Sequence, residues 1–501
     1  MSNPSQQFAA ALLANLVKAG ITNFYLAPGA RSQALAIAAS QLADAGKISV
    51  TVRLDERSLG FTALGRAMAD GSPSAIITTS GSAVANLHPA VIEAHHAGIP
   101  LMVLSADRPA RLRGLGANQT TNQNDIFGPS ASCIDVPAPT LDSVPDAKEI
   151  VTSAMDLMFG SERIQPVQLN LQFDEPLSSG SPNAAELLET VKLTPKNYSR
   201  PVQSAKLDID ESTVVIAGAG AGAKAQEFAL IANLPLFAEP SSNARYGPQV
   251  ITNYPELLKT KLSDSVKKVV VFGKPSLSRS VMKTIKAAEL YVVRSRFESF
   301  NPFQHATMIV DELVAVGRAN SSWIESWRQE TAMDERAEFV SQVWDSVENQ
   351  ALVFGASDLI RVAEGSVSAR GINVYSSRGL SGIDGTVSTA IGIAQSGVSV
   401  RALMGDLTFM HEISGLNLTG LGDLDIQLIV GNDNGGHIFD RLEMREHLSA
   451  QWFEKLFTTP QQLNLEAIVT GFGWQYAKAS SSSELASAME LSGKVVIDYQ
   501  L

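Results

Sequence analysis

Short apolar runs alternate with longer mixed stretches along the whole of this 501-residue chain. Most runs are rich in Val, Ile and Leu and end at Gly, Asp, Asn or Ser, which is typical of a buried strand that leads into a loop. The stretches between the runs are long enough for a helix. Because parallel strands need such crossover helices, the alternation predicts an α/β fold with mainly parallel sheets.

The runs fall into three series, which two changes of composition separate. The Ser/Gly/Pro-rich stretch PLSSGSPNAA follows the first series, and the Trp/Glu/Arg-rich segment SSWIESWRQETAMDER follows the second. A chain of this length also exceeds what one ordinary core can organise. We therefore predict three doubly wound domains, at residues 1–190, 200–325 and 335–501.

Composition narrows the class of protein and of partner. The formal net charge of −12 at pH 7 argues against nucleic acid or an anionic membrane as a partner, because either would need a basic surface. The amino-terminal segment lacks the pattern of a secretory signal and is typical of a helix capped near Asn3 or Ser5. No apolar run has the length of a membrane span. The single cysteine, Cys133, excludes an intrachain disulfide. We expect a cytoplasmic enzyme or binding protein.

Two polar clusters follow neighbouring apolar runs in the third series. Gly405 and Asp406 end the first run, the loop NDNGG (432–436) ends the second, and Asp433 lies 27 residues after Asp406. One crossover helix and two short loops would fill that distance. Both clusters would lie at the carboxyl ends of adjacent strands, where open α/β sheets bind ligands. Mg²⁺ takes one or two carboxylates with carbonyls, waters and phosphates, so Asp406, Asp433 and the carbonyl of Gly435 are candidate ligands. The alternative is that both clusters are ordinary turns.

The paired clusters resemble the signature of thiamine diphosphate-dependent enzymes. The resemblance implies thiamine diphosphate with Mg²⁺ or Mn²⁺, and a glutamate in the first domain that hydrogen-bonds the pyrimidine ring and promotes its reactive tautomer. Glu56, in the segment DERSLGF, matches that glutamate, although an acidic residue is also favourable at any helix start. The apolar residue that holds the cofactor bent is matched by Ile383. The matched cofactor-binding residues are Glu56, Ser82, Ile383, Gly405, Asp406, Leu407, Asn432, Gly435 and Gly436.

Longer strings narrow the resemblance to one branch of these enzymes. The strings LAPGARSQALAIA, DERSLGFTALGRA, TTSGSAVANLHPAVIEA and LSADRPARLRGLGANQTTNQ occur in that order. NLQFDEPL, SSRGLSGIDGTVSTAIG and GDLTFMHEISGL follow them. They are similar to the 2-succinyl-5-enolpyruvyl-6-hydroxy-3-cyclohexene-1-carboxylate synthases of menaquinone biosynthesis, the MenD family. The resemblance covers both outer domains well and the middle domain poorly.

The resemblance implies a substrate pair and a set of residues that bind it. The family decarboxylates 2-oxoglutarate and adds the succinyl-semialdehyde unit to isochorismate, and both substrates are dicarboxylates. Arginine suits them because its planar guanidinium binds carboxylates in a bidentate manner. The family also implies a homodimer or homotetramer with active sites between subunits. The residues matched to substrate binding are Arg31, Arg108, Gln119, Arg361, Arg378 and Phe439.

Some positions depart from the family pattern and keep other readings open. Ala30, Ala356 and Ser377 stand where hydroxyl or amide side chains are common. The alternatives are therefore another thiamine diphosphate-dependent 2-oxo acid decarboxylase or carboligase, or a non-catalytic cofactor-binding paralogue. Two local interpretations complete the prediction. The segment AGAGAGAK (217–224) is a turn between a strand and a helix, and Arg111 and Arg113 are solvated loop charges.

Overall fold

The computed structural model describes residues 3–180, 182–199, 201–297, 299–329 and 332–501. The chain divides into two compact units. The first unit comprises residues 1–200, 388–397 and 414–424, and the second comprises residues 201–387, 398–413 and 425–501. Among the described residues, we find no helix with the length and apolarity needed to cross a membrane.

One six-stranded sheet lies in the first unit. Its strands are β1 (Asn23–Leu26), β2 (Ser49–Val52), β3 (Ser74–Thr78), β4 (Leu101–Asp107), β5 (Ser132–Val136) and β6 (Val167–Gln172). Their order in the sheet is β2-β1-β3-β4-β6-β5, and every pair is parallel. Every residue of β3, β4 and β6 is buried. Strands covered on both faces are usually rich in apolar residues, which β3 and most of β4 show, whereas β6 alternates apolar residues with the buried polar residues Gln168, Asn170 and Gln172.

Seven α-helices lie among the described residues of 1–200, within the first unit. They are α1 (Pro4–Lys18), α2 (Gln33–Asp44), α3 (Glu56–Asp70), α4 (Ser82–Ala85), α5 (His88–Ala97), α6 (Ala147–Phe159) and α7 (Ala184–Thr190). The side chain of Asn3 caps α1 by accepting the Gln6 N–H (3.2 Å). The predicted helix start near Asn3 is confirmed.

Three sheets lie in the second unit. The strands are β7 (Ser204–Asp208), β8 (Thr213–Ala217), β9 (Leu236–Ala238), β10 (Lys268–Phe272), β11 (Glu289–Val293), β12 (Ala306–Val310), β13 (Glu312–Val316), β14 (Ala351–Phe354), β15 (Val374–Tyr375), β16 (Val400–Gly405), β17 (Ile426–Asn432), β18 (Gln475–Ala479) and β19 (Lys494–Gln500). The sheet orders are β12-β11-β10-β8-β9, β13-β7 and β15-β14-β16-β17-β19-β18. All of their pairs are parallel. The predicted α/β class with mainly parallel sheets is confirmed.

The remaining helices alternate with these strands. The α-helices are α8 (Ala223–Ala232), α9 (Tyr254–Leu257), α10 (Arg279–Ala287), α11 (Ser321–Ser326), α12 (Glu335–Asp345), α13 (Asp358–Ser366), α14 (Thr386–Ala394), α15 (Asp406–Met410), α16 (Ala450–Phe453), α17 (Leu465–Gly471) and α18 (Ser482–Met489). Short 3-10 helices are Ala110–Leu112, Gly128–Ser130, Pro240–Ser242, Lys261–Ser265, Ile413–Leu416, His437–Arg441 and Glu443–Glu446, and Glu454–Thr458 is a π-helix.

Two local expectations can be compared with these elements. The segment 217–224 joins β8 to α8, so its interpretation as a strand-to-helix turn is confirmed. One crossover helix was expected between Asp406 and Asp433. Instead, that connection contains only α15 and the 3-10 helix Ile413–Leu416. The three glycines Gly415, Gly420 and Gly422 disfavour a longer helix because glycine loses more backbone entropy on ordering than other residues.

A buried polar cluster links the middle and third strand series inside the second unit. The Arg245 guanidinium donates to the carbonyls of Ala238 (2.6 Å) and Val367 (2.7 Å). The Tyr254 hydroxyl donates to the Glu364 carboxylate (2.8 Å), and burial raises the pKa of that carboxyl. Each of these groups is shielded from water, so removal of one partner would leave a buried polar atom unsatisfied.

Candidate functional site

The two polar clusters of the third series meet at one edge of the sheet. Strands β16 and β17 pair in parallel with Gly405 opposite Gly431, so both end at the same edge. The Asp406 carboxylate accepts the N–H of Gly435 (2.7 Å) through one oxygen and the N–H of Leu407 (2.8 Å) through the other. The structure therefore brings Asp406 and the loop 432–436 into direct contact.

The electrostatics of Asp406 favour a cation at this edge. The side chain is buried, and burial raises the pKa of its carboxyl to about 6, with a further upward contribution from the charge of Asp433. The two N–H donors lower it only in part. A bound cation would offset the cost of holding this carboxylate ionised. Carboxylate and carbonyl oxygens are also the donor set that Mg²⁺ prefers, so the residues present fit a divalent cation.

Among the described residues, no group of three or more His, Cys, Asp and Glu side chains could hold a metal ion. A cation at this edge would therefore take the two carboxylates of Asp406 and Asp433 and a backbone carbonyl, with the rest of its shell from water or phosphate. That composition is usual for Mg²⁺.

The glycines of the loop 432–436 allow a close approach of backbone groups. Gly435 has a φ of +140°, and a Cβ at that position would collide with the carbonyl oxygen of Thr458. The same carbonyl accepts the N–H of Gly436 (2.7 Å). The Asn432 side chain donates to Asp498 (2.9 Å) and accepts the N–H of Asn434 (3.1 Å). The loop is held by its neighbours on both sides.

Asp433 has an arginine partner that sequence reasoning did not single out. A terminal nitrogen of Arg336 lies 2.6 Å from Oδ2 of Asp433, and the other lies 3.9 Å from the carboxylate of Asp358. The sequence carried an indirect signal: the carboxylate of Asp433 acts on that of Asp406, and two such charges are favourable beside a cationic side chain.

Glu56 is the first residue of α3, and the residue before it caps the helix. One oxygen of the Asp55 carboxylate accepts the N–H groups of Arg57 (2.9 Å) and Ser58 (3.3 Å), and the other accepts the hydroxyl of Ser414 (2.7 Å). Burial raises the pKa of Asp55, but these hydrogen bonds outweigh it and hold the pKa below its ordinary value. Asp55 therefore stays ionised and fixes the start of the helix that carries Glu56.

A buried arginine, Arg53, and a close contact between α3 and α14 also stabilise the region around Glu56. Arg53 donates to the hydroxyls of Thr62 (2.5 Å) and Ser388 (3.0 Å) and to the carbonyl of Gly415 (2.7 Å). A Cβ on Gly65 would collide with the carbonyl of Thr389. The contact distances between α3 and α14 therefore leave no space for a side chain at this glycine.

We expect Asp55→Ala to lower the free energy of unfolding by about 1 kcal/mol, the usual cost of losing a helix cap. The lowered pKa makes this contribution fully present above about pH 4, and it is lost as the pH falls through the folded-state pKa. We also expect kcat to fall, because Glu56 is the next residue. Chemical denaturation at several pH values and steady-state kinetics would measure both effects.

Asp146→Ala is the matched control, since Asp146 caps α6 in the same way, through Lys148 and Glu149. Its stability cost should be similar, but its kcat should be that of the unaltered enzyme. Equal kcat values for the two variants would show that the Asp55 cap has no part in positioning Glu56.

Three predicted residues of the first unit lie together. The Arg108 guanidinium donates to the Ser80 hydroxyl (2.8 Å) and to the Gln119 carbonyl (2.8 Å). The Gln119 side chain donates to the Ser80 carbonyl (2.9 Å). Burial lowers the pKa of Arg31, and the positive charge of nearby Arg108 lowers it further. The carboxylates of Glu175, Asp174 and Asp107 raise it, and the Arg31 guanidinium donates to the Phe173 carbonyl (3.1 Å). Ser82 is exposed at the start of α4.

Arg361 and Phe439 of the second unit line one large cavity. Its volume is about 1240 Å³, and Lys259 and Arg279 also line it. The exposed side chain of Arg361 donates to the Ser357 carbonyl (3.1 Å). Phe439 packs edge to face on Phe457, with 5.6 Å between ring centroids. The cavity thus combines three cationic side chains with an aromatic wall, and acidic side chains line it as well. Sequence reasoning missed two of the cations, Lys259 and Arg279.

Arg378 lies away from that cavity. Its side chain is 2% exposed and donates to the Ser276 hydroxyl (2.8 Å). The charge of Arg378 lowers the pKa of the buried Glu239 carboxyl, although burial has the larger effect and raises it. In this conformation Arg378 joins the loop before α14 to the loop after β10. Ile383, in the same loop as Arg378, is 39% exposed.

One prediction about neighbouring arginines was wrong. Arg113 was expected to be a solvated loop charge, yet it donates to the buried Asp107 (2.7 Å) and to Asp135 (2.8 Å). Asp107, its buried partner, is the last residue of β4. The prediction considered only the loop around Arg113 and not this partner. Arg111 is 61% exposed and pairs with Asp174 (2.8 Å).

Comparison with known proteins identifies the family. Residues 6–126 match the N-terminal TPP binding domain of thiamine pyrophosphate enzymes, and residues 363–498 match the C-terminal TPP binding domain. Three curated relatives are 2-succinyl-5-enolpyruvyl-6-hydroxy-3-cyclohexene-1-carboxylate synthases. The protein from Leifsonia xyli subsp. xyli is 36% identical, over 97% of this chain and 94% of its own length. The protein from Renibacterium salmoninarum is 38% identical, over 99% of this chain and 94% of its own length. The protein from Arthrobacter sp. (strain FB24) is 37% identical, over 99% of this chain and 89% of its own length.

The chain belongs to the 2-succinyl-5-enolpyruvyl-6-hydroxy-3-cyclohexene-1-carboxylate synthase family.

Membership of this synthase family confirms the resemblance found in the sequence. The chain is a thiamine diphosphate-dependent enzyme of the carbon-carbon bond-forming class. Glu56 lies inside the matched N-terminal domain, and Asp406 and Asp433 lie inside the matched C-terminal domain. The roles of individual residues stay predictions, and so do the three domain ranges.

Proposed function

We propose that this chain decarboxylates 2-oxoglutarate and adds the succinyl-semialdehyde unit to isochorismate, as a step of menaquinone biosynthesis. The observation that carries the proposal is the contact between the buried Asp406 carboxylate and the Gly435 N–H at 2.7 Å. It joins the two halves of the cofactor signature at one edge of the sheet, and the curated relatives bear the name of this synthase.

We assign the metal and the diphosphate to residues of the second unit. Asp406, Asp433 and the carbonyl of Gly435 would hold Mg²⁺ or Mn²⁺, and Gly405, Leu407, Asn432 and Gly436 would contact the diphosphate. Ser82 and Ile383 would contact the organic part of the cofactor. When bound, thiamine diphosphate supplies the electron sink that decarboxylation of a 2-oxo acid requires.

The part of Glu56 is to hold and return a proton. Its carboxylate would hydrogen-bond the pyrimidine ring and favour the tautomer that takes the proton from the thiazolium carbon. The cap provided by Asp55 and the hydrogen bonds of Arg53 support this role, because they fix the backbone on the N-terminal side of Glu56.

The cationic side chains would bind the substrate carboxylates. Arg31, Arg108 and Gln119 form one polar group in the first unit, and Arg361 with Phe439 lines the cavity of the second. Arg378 would also bind a substrate carboxylate, because its position in the motif matches the substrate-binding arginines. Its Ser276 contact would have to open for the guanidinium to reach a substrate.

We expect Arg108→Gln to lower kcat/KM for one of the two dicarboxylates by about 10- to 100-fold, the usual worth of a charge-assisted hydrogen bond. Most of the change should be in KM, because the arginine binds the carboxylate in the ground state as well as the transition state. Initial rates with each substrate varied in turn would show which dicarboxylate it binds.

Arg111→Gln is the control for that variant, since Arg111 is an exposed arginine three residues away and pairs with Asp174. Its kinetic constants should stay within about twofold, as exposed ion pairs contribute little. A change of KM in Arg111→Gln as large as that in Arg108→Gln would argue for a general effect of loop charge.

We further propose a cytoplasmic homodimer or homotetramer with active sites between subunits, built from domains at 1–190, 200–325 and 335–501. Large apolar side chains that are exposed in the single chain support it, since such surfaces usually meet a partner. Leu54 near Glu56 is 74% exposed, and Leu380 in the loop before α14 is 50% exposed. Equilibrium sedimentation that found an active monomer would contradict it.

The deciding experiment measures loss of isochorismate and identifies the product by mass spectrometry. The protein would be assayed with 2-oxoglutarate, Mg²⁺ and thiamine diphosphate, and with each omitted in turn. Carbon dioxide release without loss of isochorismate would favour another 2-oxo acid decarboxylase or carboligase. Cofactor binding without turnover would favour a non-catalytic paralogue and would direct attention to Ala30, Ala356 and Ser377.

A further inference from the structure

Arg336 makes a short ion pair with Asp433 at the sheet edge where Asp406 and the loop 432–436 meet. Nη2 of Arg336 lies 2.6 Å from Oδ2 of Asp433, and the two side chains are 25% and 14% exposed. Arg336 is the second residue of α12, whose start is fixed by the side chain of Asp334 accepting the Ala337 N–H (2.9 Å). The arginine therefore approaches Asp433 from a capped helix.

The ion pair engages only one oxygen of Asp433. The described contacts place Arg336 on Oδ2, which leaves Oδ1 for a cation. A carboxylate held at one oxygen can turn less freely about its terminal bond, so the other oxygen is directed. Partners outside the metal shell commonly orient ligands in this way.

Charge gives a second reason for the arginine. Asp406 and Asp433 interact electrostatically, and Asp358 lies 3.9 Å from Arg336, so three carboxylates surround this region. Asparagine at position 433 would supply a neutral oxygen ligand. Aspartate supplies an oxygen with a negative charge, and the guanidinium beside it cancels that charge. Asp433 and Arg336 together thus resemble asparagine in net charge.

We infer that Arg336 is a positioning residue for the divalent cation of this site, which holds the Asp433 carboxylate with one oxygen directed to the metal and neutralises its charge. The inference rests on the proposed function, because it requires a cation bound with thiamine diphosphate. It adds a residue from α12, which lies outside both matched family domains.

The test measures cofactor binding and does not depend on enzymatic turnover. Equilibrium dialysis would measure thiamine diphosphate bound to the protein as Mg²⁺ is varied, for the unaltered chain, Arg336→Gln and Arg336→Lys. We expect Arg336→Gln to raise the Mg²⁺ concentration for half-saturation by about 10- to 100-fold, the usual loss when a partner outside the metal shell is removed. Arg336→Lys should recover part of that loss, since lysine keeps the charge without the planar fork.

A second background tests the pairing with Asp433. In Asp433→Asn there is no carboxylate to hold, so adding Arg336→Gln should change half-saturation by less than about threefold. Arg328→Gln is the control, because Arg328 also makes an ion pair, with Glu325 at 2.8 Å, and lies outside the site. The control should bind as the unaltered protein does.

The outcomes separate the two proposals. Failure of the unaltered protein to bind thiamine diphosphate at any Mg²⁺ concentration would overturn the proposed function. Normal or tighter binding by Arg336→Gln, or an equal loss in both backgrounds, would overturn the role of Arg336 alone. If Arg336→Gln does not fold, Arg336→Lys decides the question when it is measured both in the unaltered protein and in Asp433→Asn.

Discussion

Replacement of Glu56 by glutamine is expected to lower kcat at least about 100-fold, the smaller end of what a positioned proton-transfer group contributes. Glutamine keeps the length and the hydrogen-bonding oxygen of the side chain, but it cannot accept and return a proton. The helix cap made by Asp55 is unchanged by the substitution, so α3 should still begin at residue 56. Isochorismate consumption under saturating cofactor would measure the effect.

Glu149→Gln is the matched control for this prediction. Glu149 is also a glutamate in the first turn of a capped helix of the first unit, α6. It should leave kcat unchanged. Thiamine diphosphate binding should remain in both variants, because neither removes a cation ligand. A Glu56→Gln enzyme with more than about one tenth of normal kcat would refute the assigned proton-transfer role.

Asp406→Asn is expected to weaken Mg²⁺-dependent thiamine diphosphate binding at least about 100-fold, because a direct ligand matters more than a partner outside the metal shell. The asparagine amide would also meet the Gly435 N–H that now points at a carboxylate oxygen (2.7 Å). If the amide oxygen keeps that hydrogen bond, the amide NH2 group takes the place of the other carboxylate oxygen, which now accepts the Leu407 N–H (2.8 Å). An NH2 group is not an acceptor. Equilibrium dialysis would measure the loss.

The same variant should not be less stable without metal. Burial raises the folded-state pKa of Asp406 from 3.8 to about 6, so the ionised carboxylate opposes folding at neutral pH in the metal-free protein. Asparagine removes that cost, and the metal-free unfolding temperature should stay equal or rise. Asp423→Asn, at an exposed position of the same connection, should change neither property. A clear drop in metal-free stability for Asp406→Asn would show that the carboxylate holds the fold.

The strands that show most clearly in the sequence are those with both faces covered. β3, β4, β16 and β17 are buried at nearly every residue and are largely apolar. β7 gives no apolar run, because it alternates polar and apolar residues and buries only Leu207. β13 does contain the apolar run 313–316, yet it buries no residue fully, so the burial of a strand does not follow from a short apolar run alone.

At the candidate cofactor site, local sequence predicted some residues well and could not predict others. Local sequence was enough to place Asp406 and the loop 432–436 at the ends of adjacent strands, since a parallel sheet puts those ends together. It was also enough to place Glu56 at a helix start. These predictions need only chain order and the side chains within a few residues.

Partners that are distant in sequence could be found only from the folded chain. Arg336 precedes Asp433 by 97 residues, and Arg53 precedes Ser388 by 335. The burial of Arg378 against Ser276, 102 residues earlier, is another such case. An arginine looks the same in a sequence whether it binds a ligand, orients a neighbour or lies in solvent. Its role depends on which groups desolvate it and which accept its hydrogen bonds, and folding alone brings those groups together.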